Sequence, residues 1–226
     1  MNRGTAAFLV SPDGRALLQD VADLPGDAAE RVLALRKRRA DLPSEIITAA
    51  IEVADARQRA RHRFPDAHRL FFTADALAQA TGPTLAAYHA AGLAPFGTVA
   101  DLGCGVGMAA LALGEAGARV VAVDVDDSRL IFARANAEAR DLAGRITFRE
   151  DNVETLSWLP TDAVFWDPSR RVEGRGRRVS LHPDLYEPPL SFLETLRAHV
   201  EGGCVKLSPA LPDEVLDGLN GRVEFL

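Results

Sequence analysis

VADLGCGVGMAALAL, residues 99–113, runs from an apolar segment that closes on Asp101, through Gly103, Gly105 and Gly107, into a second apolar segment of helical character. A strand, a glycine turn and a helix in that order place a ligand at the carboxyl edge of a parallel sheet. The spacing then selects the ligand. A dinucleotide fingerprint needs its third glycine at position 108, where this chain has Met108. Asp101, at the strand's end, brings a carboxylate into the region a pyrophosphate would occupy. An acid there suits a cationic ligand end, an ammonium or a sulfonium, better than phosphates.

Two more acids follow at matching places. RVVAVDVD (119–126) reads as a second strand that reaches Asp124 about twenty residues past the turn, where a carboxylate takes both hydroxyls of a ribose. RITFRED (145–151) reads as a third strand ending at Asp151, placed to accept from an adenine amino group, with Asn152 and Val153 beside it. Either acid alone reads equally well as a helix cap or a surface residue. Three at the ends of consecutive strands point to a site.

The same alternation continues in DAVFWDP (162–168) and GGCVKLSP (202–209), with helical segments at 127–142 and 191–200. The predicted architecture is α/β, a doubly wound Rossmann-like parallel sheet with helices on both faces. Upstream, from Ala28 to about Ala91, the periodicity is helical with almost no strand signal, broken at Leu42-Pro43, Phe64-Pro65 and Gly82-Pro83. Residues 1–95 are therefore expected to form a small all-helical domain ahead of a catalytic domain at 96–226. RVEFL (222–226) reads as the start of a sixth strand, and its apolar end predicts that the natural chain continues or that a strand is missing.

Composition narrows the function classes. No uncharged apolar run approaches the roughly 18 residues of a membrane span, and the N-terminus lacks a secretory apolar core, so the expected location is cytoplasmic. Cys104 and Cys204 form neither a disulfide framework nor a zinc pair. The five histidines, His62, His68, His89, His182 and His199, have no ligand spacing, and no metal is expected. Net charge is -6, yet RKRR (36–39), RQRARHR (57–63) and RRVEGRGRR (170–178) are strongly basic. For the first two, a polyanion footprint and a solvated helix face are equally good readings.

In DLGCGVG, AVDVD and EDNVE the sequence resembles the class I S-adenosylmethionine-dependent methyltransferases, over roughly residues 96–210. The resemblance implies that Asp101, Gly103, Gly105 and Gly107 wrap the methionine end of S-adenosylmethionine, with Cys104 in the same turn. It also implies that Asp124 holds the ribose and Asp151 the adenine, with Val125, Asn152 and Val153 as further cofactor contacts. In VFWDPSRR (164–171), Asp167 and Pro168 match the segment with which methyltransferases of planar amines align the acceptor nitrogen. Ser169 and Arg170 depart from that pattern, although an arginine plane also stacks on a base. An Asp-Pro turn closing a strand is the plainer alternative.

The arginine-rich segment after it makes a polynucleotide the expected partner, through Arg171, Arg175, Arg177 and Arg178, with Tyr186 as an aromatic wall. Asp-Pro-x-Arg also resembles RNA pyrimidine carbon-5 methyltransferases, but Leu207 stands where their nucleophilic thiol would be, and Cys204 lies toward the other end of the strand. LFFTADAL (70–77) after a basic helix is similar to bacterial methyltransferases with a C-terminal THUMP-like domain and, more loosely, to RNA cap guanine-N2 methyltransferases. That likeness implies Phe72 and Thr73 near the cofactor; ordinary core anchoring is the competing reading. The expected activity is methylation of a base nitrogen in RNA, guanine preferred. The alternatives are a small-molecule methyltransferase with a closed apolar pocket over Asp167, and a non-catalytic RNA-binding module.

Overall fold

The computed structural model describes residues 1–155, 160–170 and 186–226. Six helices come first: α1 (Arg3–Val10), α2 (Pro12–Ala22), α3 (Ala28–Arg38), α4 (Ser44–Ala60), α5 (Ala74–Gln79) and α6 (Pro83–Leu93). Then follow β1 (Thr98–Leu102), α7 (Met108–Glu115), β2 (Arg119–Asp124), α8 (Asp127–Ala139), β3 (Ile146–Glu150) and β4 (Ala163–Trp166). Two short strands, β5 (Ser169–Arg170) and β6 (Tyr186–Glu187), precede α9 (Phe192–Arg197), β7 (Gly202–Val205) and α10 (Asp213–Gly218).

The main sheet has the order β3-β2-β1-β4-β7, with each neighbouring pair parallel. The chain winds outward through β1, β2 and β3, then returns to lay β4 on the other side of β1. That reversal opens a crevice above the carboxyl ends of β1 and β4. Strand alternation sorts side chains between two cores. Val99, Val120, Ala122, Ala163 and Phe165 face one side, while Ala100, Leu102, Val123, Val164 and Trp166 face the other with Tyr186, Leu190, Leu196 and Leu211. The first core is continuous with the N-terminal helices. Leu9, Leu17, Ile47 and Phe71 belong to the same buried cluster as Leu111 and Phe132.

Two helices went unanticipated, α1 and α2. Ser11-Pro12-Asp13-Gly14 reads as a turn, but Ser11 is an N-cap whose hydroxyl accepts from the Gly14 N–H, and Pro12 opens the helix where its missing N–H costs nothing. A Cβ at Gly14 would lie 2.0 Å from the Phe8 carbonyl oxygen, so only glycine lets α1 and α2 pack this closely. The expected sixth strand at RVEFL does not form: residues 222–226 are irregular. Glu224 instead accepts from the Tyr88 hydroxyl on α6 and pairs with Arg222 at 2.5 Å. These contacts draw the segment to α6. Among the described residues, β7 is the sheet's edge on the β4 side.

Candidate active site

The glycine turn is tied to the end of β2. Gly103 and Cys104 both donate their N–H groups to the Val123 carbonyl, at 2.8 and 2.9 Å. Gly103, Gly105 and Gly107 have φ of 77°, 56° and 88°, a region other residues enter only with strain. Around Gly103 and Gly105 a Cβ would meet nothing within 4 Å, so the backbone is bare toward a cleft of about 670 Å³. Gly107 does not line it. It starts α7 with its Cα side against Ala133, where a Cβ would come within 3.2 Å.

Asp101, Asp124 and Asp151 all line this cleft, as do Cys104, Val125, Asn152 and Val153. Asp101 is 2% exposed, and its Oδ2 has no hydrogen-bond partner. Burial pushes its pKa up to about 8; Asp167 adds to the rise, the Ala110 N–H partly offsets it, and Asp124 adds again. The Cys104 thiol is likewise held protonated, by burial first and then by Asp101 and Asp124. Asp124 is buried too, but served: its carboxylate accepts from the Gly105 N–H at 2.8 Å and the Asp126 N–H at 2.9 Å. One acid therefore braces the turn and faces the cleft. Asp151 is paired with Arg149 at 2.8 Å and also accepts from the Asn152 N–H. Val125, 64% exposed, offers an apolar surface between Asp124 and Asp126.

On the β4 side, Asp167, Pro168 and Ser169 line the cleft. The backbone of Arg170 pairs with Tyr186 and that of Ser169 with Glu187, so a short antiparallel ribbon stands at the rim. Arg171, Arg175, Arg177 and Arg178 lie outside the described residues. Tyr186 is not the expected aromatic wall. It is 2% exposed in the second core, and its hydroxyl accepts from the Ser208 N–H. Phe72 and Thr73 are also absent from the cleft: Phe72 is fully buried against Phe64, and Thr73 caps α5 by accepting from the Ala76 N–H. The segment they introduce does reach the cleft, through Ala76, Gln79, Ala80 and Thr81.

Two arginines of the RQRARHR cluster serve the fold. Arg57 lies over the Phe71 ring and donates to the Leu70 carbonyl; burial, helped by Arg15, pulls its pKa down to about 10. Arg63 donates to the Leu77 and Ala80 carbonyls and so fixes the end of α5. Asn136, on α8 and fully buried, accepts from the Phe71 N–H at 2.7 Å and donates to the carbonyls of Phe71 and Val106. It pins the N-terminal segment to the glycine turn. Lys206, just past β7, lines the cleft with its Nζ 2.5 Å from Asp167 Oδ2. The sequence reading missed Asn136 and Lys206; a lone charge at the carboxyl end of the apolar strand GGCV was the available signal for the second. Cys204 does not line the cleft, and burial raises its pKa.

Residues 99–167 match the family model described as "Methyltransferase domain", and residues 3–60 match a domain of unknown function. The chain belongs to the class I S-adenosylmethionine-dependent methyltransferases. The orphaned Asp101 oxygen and the bare glycine turn fit the cationic nucleoside that names that family. In two strains of Mycobacterium tuberculosis, an uncharacterized S-adenosylmethionine-dependent methyltransferase is 33% identical over 159 residues, which is 69% of this chain and 42% of the relative. The chain thus spans less than half the length of the curated relatives it matches. The crystal structure of a candidate methyltransferase from Porphyromonas gingivalis shares the fold, with TM-score 0.67 and 20% identity over 93% of this chain and 51% of that one. Among the described residues, no helix is long and apolar enough to cross a membrane, and no cluster of three or more His, Cys, Asp or Glu suits a metal ion.

A pH dependence follows from Asp101. Its carboxyl holds a proton up to about pH 8, while a cationic ligand end favours the ionised form. Cofactor binding is therefore expected to release a proton below pH 8, with affinity rising up to about tenfold per unit toward that pH. Calorimetry in two buffers of different ionisation enthalpy reads the released proton; binding with none contradicts the assignment. In the empty fold the sign is opposite. An acid whose folded pKa exceeds its unfolded value of about 3.9 costs stability progressively as pH rises from about 4 to 8.

Proposed function

We propose that the chain transfers the methyl group of S-adenosylmethionine to a nitrogen of a base in RNA, with guanine the preferred base. The observation that carries this reading is Asp167-Pro168 at the end of β4, in the same cleft as the glycine turn and Asp101. Bound S-adenosylmethionine supplies an electrophilic methyl on a cationic sulfur. Asp101 would face the methionine end, Asp124 the ribose, and Val125 with Val153 and Asp151 the adenine. Asp167 would accept an N–H of the base and aim the nitrogen lone pair along the line of displacement. The cofactor would supply the methyl and keep the S–C electron pair on its sulfur, and the proton of the alkylated nitrogen would pass to solvent in the open cleft.

RNA is supported by the arginines on the chain between β5 and β6, whose two ends flank the cleft. Exposed Arg36, Lys37 and Arg38 at the end of α3 form a second basic surface. The likeness of LFFTADAL to methyltransferases with a THUMP-like domain agrees with an RNA substrate, and we place the protein in the cytoplasm. Residues 1–95 and 96–226 are proposed as its helical and catalytic parts.

The test uses S-adenosylmethionine labelled in the methyl group, total RNA from a strain deleted for the gene, and nucleoside analysis. The reading predicts label in a base-methylated nucleoside. Asp167→Ala should lower turnover by about 100-fold or more while cofactor affinity stays within about threefold. Label only in a small-molecule fraction would overturn the RNA assignment.

A further inference from the structure

We infer that Lys206 is the positioning residue of this site, holding one oxygen of Asp167 so that the other alone meets the substrate N–H. The inference deepens the proposed base-nitrogen methylation and rests on it. Its geometry comes from the sheet. β4 and β7 pair in parallel up to Trp166 and Val205, and the Lys206 N–H carries the pairing one step further by donating to the Trp166 carbonyl at 2.9 Å. Asp167 and Lys206 are thereby placed next to each other at the carboxyl edge, with the ammonium on Oδ2.

The surroundings give that contact its weight. Near the pair are Asp101 on β1, His89 on α6, its ring tilted against Phe165, and the half-buried Cys204 thiol on β7. His89 is held toward its neutral form, by burial first and by Lys206 next. Among the described cleft residues the other cation is Arg129, and it pairs with Asp126 at 3.4 Å. Lys206 is thus the positive charge set against Asp167. Without it, both oxygens of Asp167 are open to the substrate N–H, and the base is no longer held in a single orientation before the methyl.

The choice of lysine is itself informative. Of the 26 basic residues in the chain, only Lys37 and Lys206 are lysines. A guanidinium takes a carboxylate in a two-pronged grip on both oxygens, whereas an ammonium is a point charge that can rest on one. One-oxygen contact leaves Asp167 an acceptor; a fork would consume it.

The experiment compares wild type, Lys206→Ala and Lys206→Arg in single-turnover methyl transfer to total RNA from the deletion strain, at saturating labelled cofactor. Lys206→Ala is expected to lose about 100-fold in turnover, the scale of a misaligned acceptor, with S-adenosylmethionine affinity within about threefold of wild type. Added n-propylammonium should restore part of the loss, and Lys206→Arg should stay as slow as Lys206→Ala although it folds and binds cofactor. A general electrostatic or structural role predicts the reverse, and an active Lys206→Arg overturns the inference. With [15N]lysine the chain gives only two side-chain ammonium signals, and that of Lys206 should be slow to exchange and altered by Asp167→Asn. Absence of a protected signal overturns the inference before any substrate is added. A wild type that labels no RNA, with the protected signal present, overturns the RNA reading and the role given to Lys206 within it.

Discussion

Asp124→Ala is expected to weaken S-adenosylmethionine binding by about 100-fold or more. The carboxylate is proposed to accept both ribose hydroxyls, and each bond to a charged acceptor contributes about 1.5–3 kcal/mol. Its loss also releases the N–H groups of Gly105 and Asp126, which the same oxygens hold at 2.8 and 2.9 Å. The glycine turn would then lose a brace as the ligand loses a contact. A total of about 3 kcal/mol is about two orders of magnitude in affinity. Asp124→Asn should fare little better, because its amide group must turn an N–H toward either a backbone donor or the ribose. Titration calorimetry reads both variants. A variant that binds within threefold of wild type would remove Asp124 from the cofactor site.

Asn136→Leu is expected to cause the largest loss of stability of any substitution away from the reacting groups. Asn136 satisfies three backbone groups, the N–H and carbonyl of Phe71 and the carbonyl of Val106, and it is fully buried. Leucine keeps the branched outline but is bulkier and can neither donate nor accept, so the cost is the desolvated backbone left without partners, with some overpacking added. At about 1–3 kcal/mol for each of the three buried orphans, the sum is about 3–9 kcal/mol. For a chain of this size that lowers the melting temperature by roughly 10 °C or more. Asn136→Asp sets a carboxylate oxygen against two carbonyls and should be no milder. Cofactor affinity should fall as well, because Val106 lies in the turn itself. A melting temperature within about 2 °C of wild type would show that the pin carries no load.

What the sequence made legible was local. Strand, turn and helix at 99–113 follow from adjacent residues, and so does the placement of Asp101, Asp124 and Asp151 at strand ends. Partners far along the chain were not legible. Arg57 and Arg63 read as surface charge because the carbonyls they bind lie 13 to 17 residues further on. Phe72 stayed open between a cofactor contact and a core anchor because nothing in FFT says whether an aromatic ring turns to a cleft or to Phe64. Ser11-Pro12 suits a turn and a helix start alike, and packing of α2 on α4 and α1 goes with the second. Tyr186 gave no sign that its hydroxyl would be spent on the Ser208 backbone. Asn136 sits mid-helix, where a polar residue ordinarily faces water, and only the fold brings Phe71 and Val106 to it.

The most direct test of the cofactor site is a crystal structure of the full chain with S-adenosylhomocysteine. The account predicts the ribose hydroxyls on the Asp124 carboxylate, the amino acid end over Gly103 and Gly105 toward Asp101, and the adenine between Val125 and Val153. Ligand bound elsewhere, or a folded chain that takes up none at saturating concentration, would contradict it.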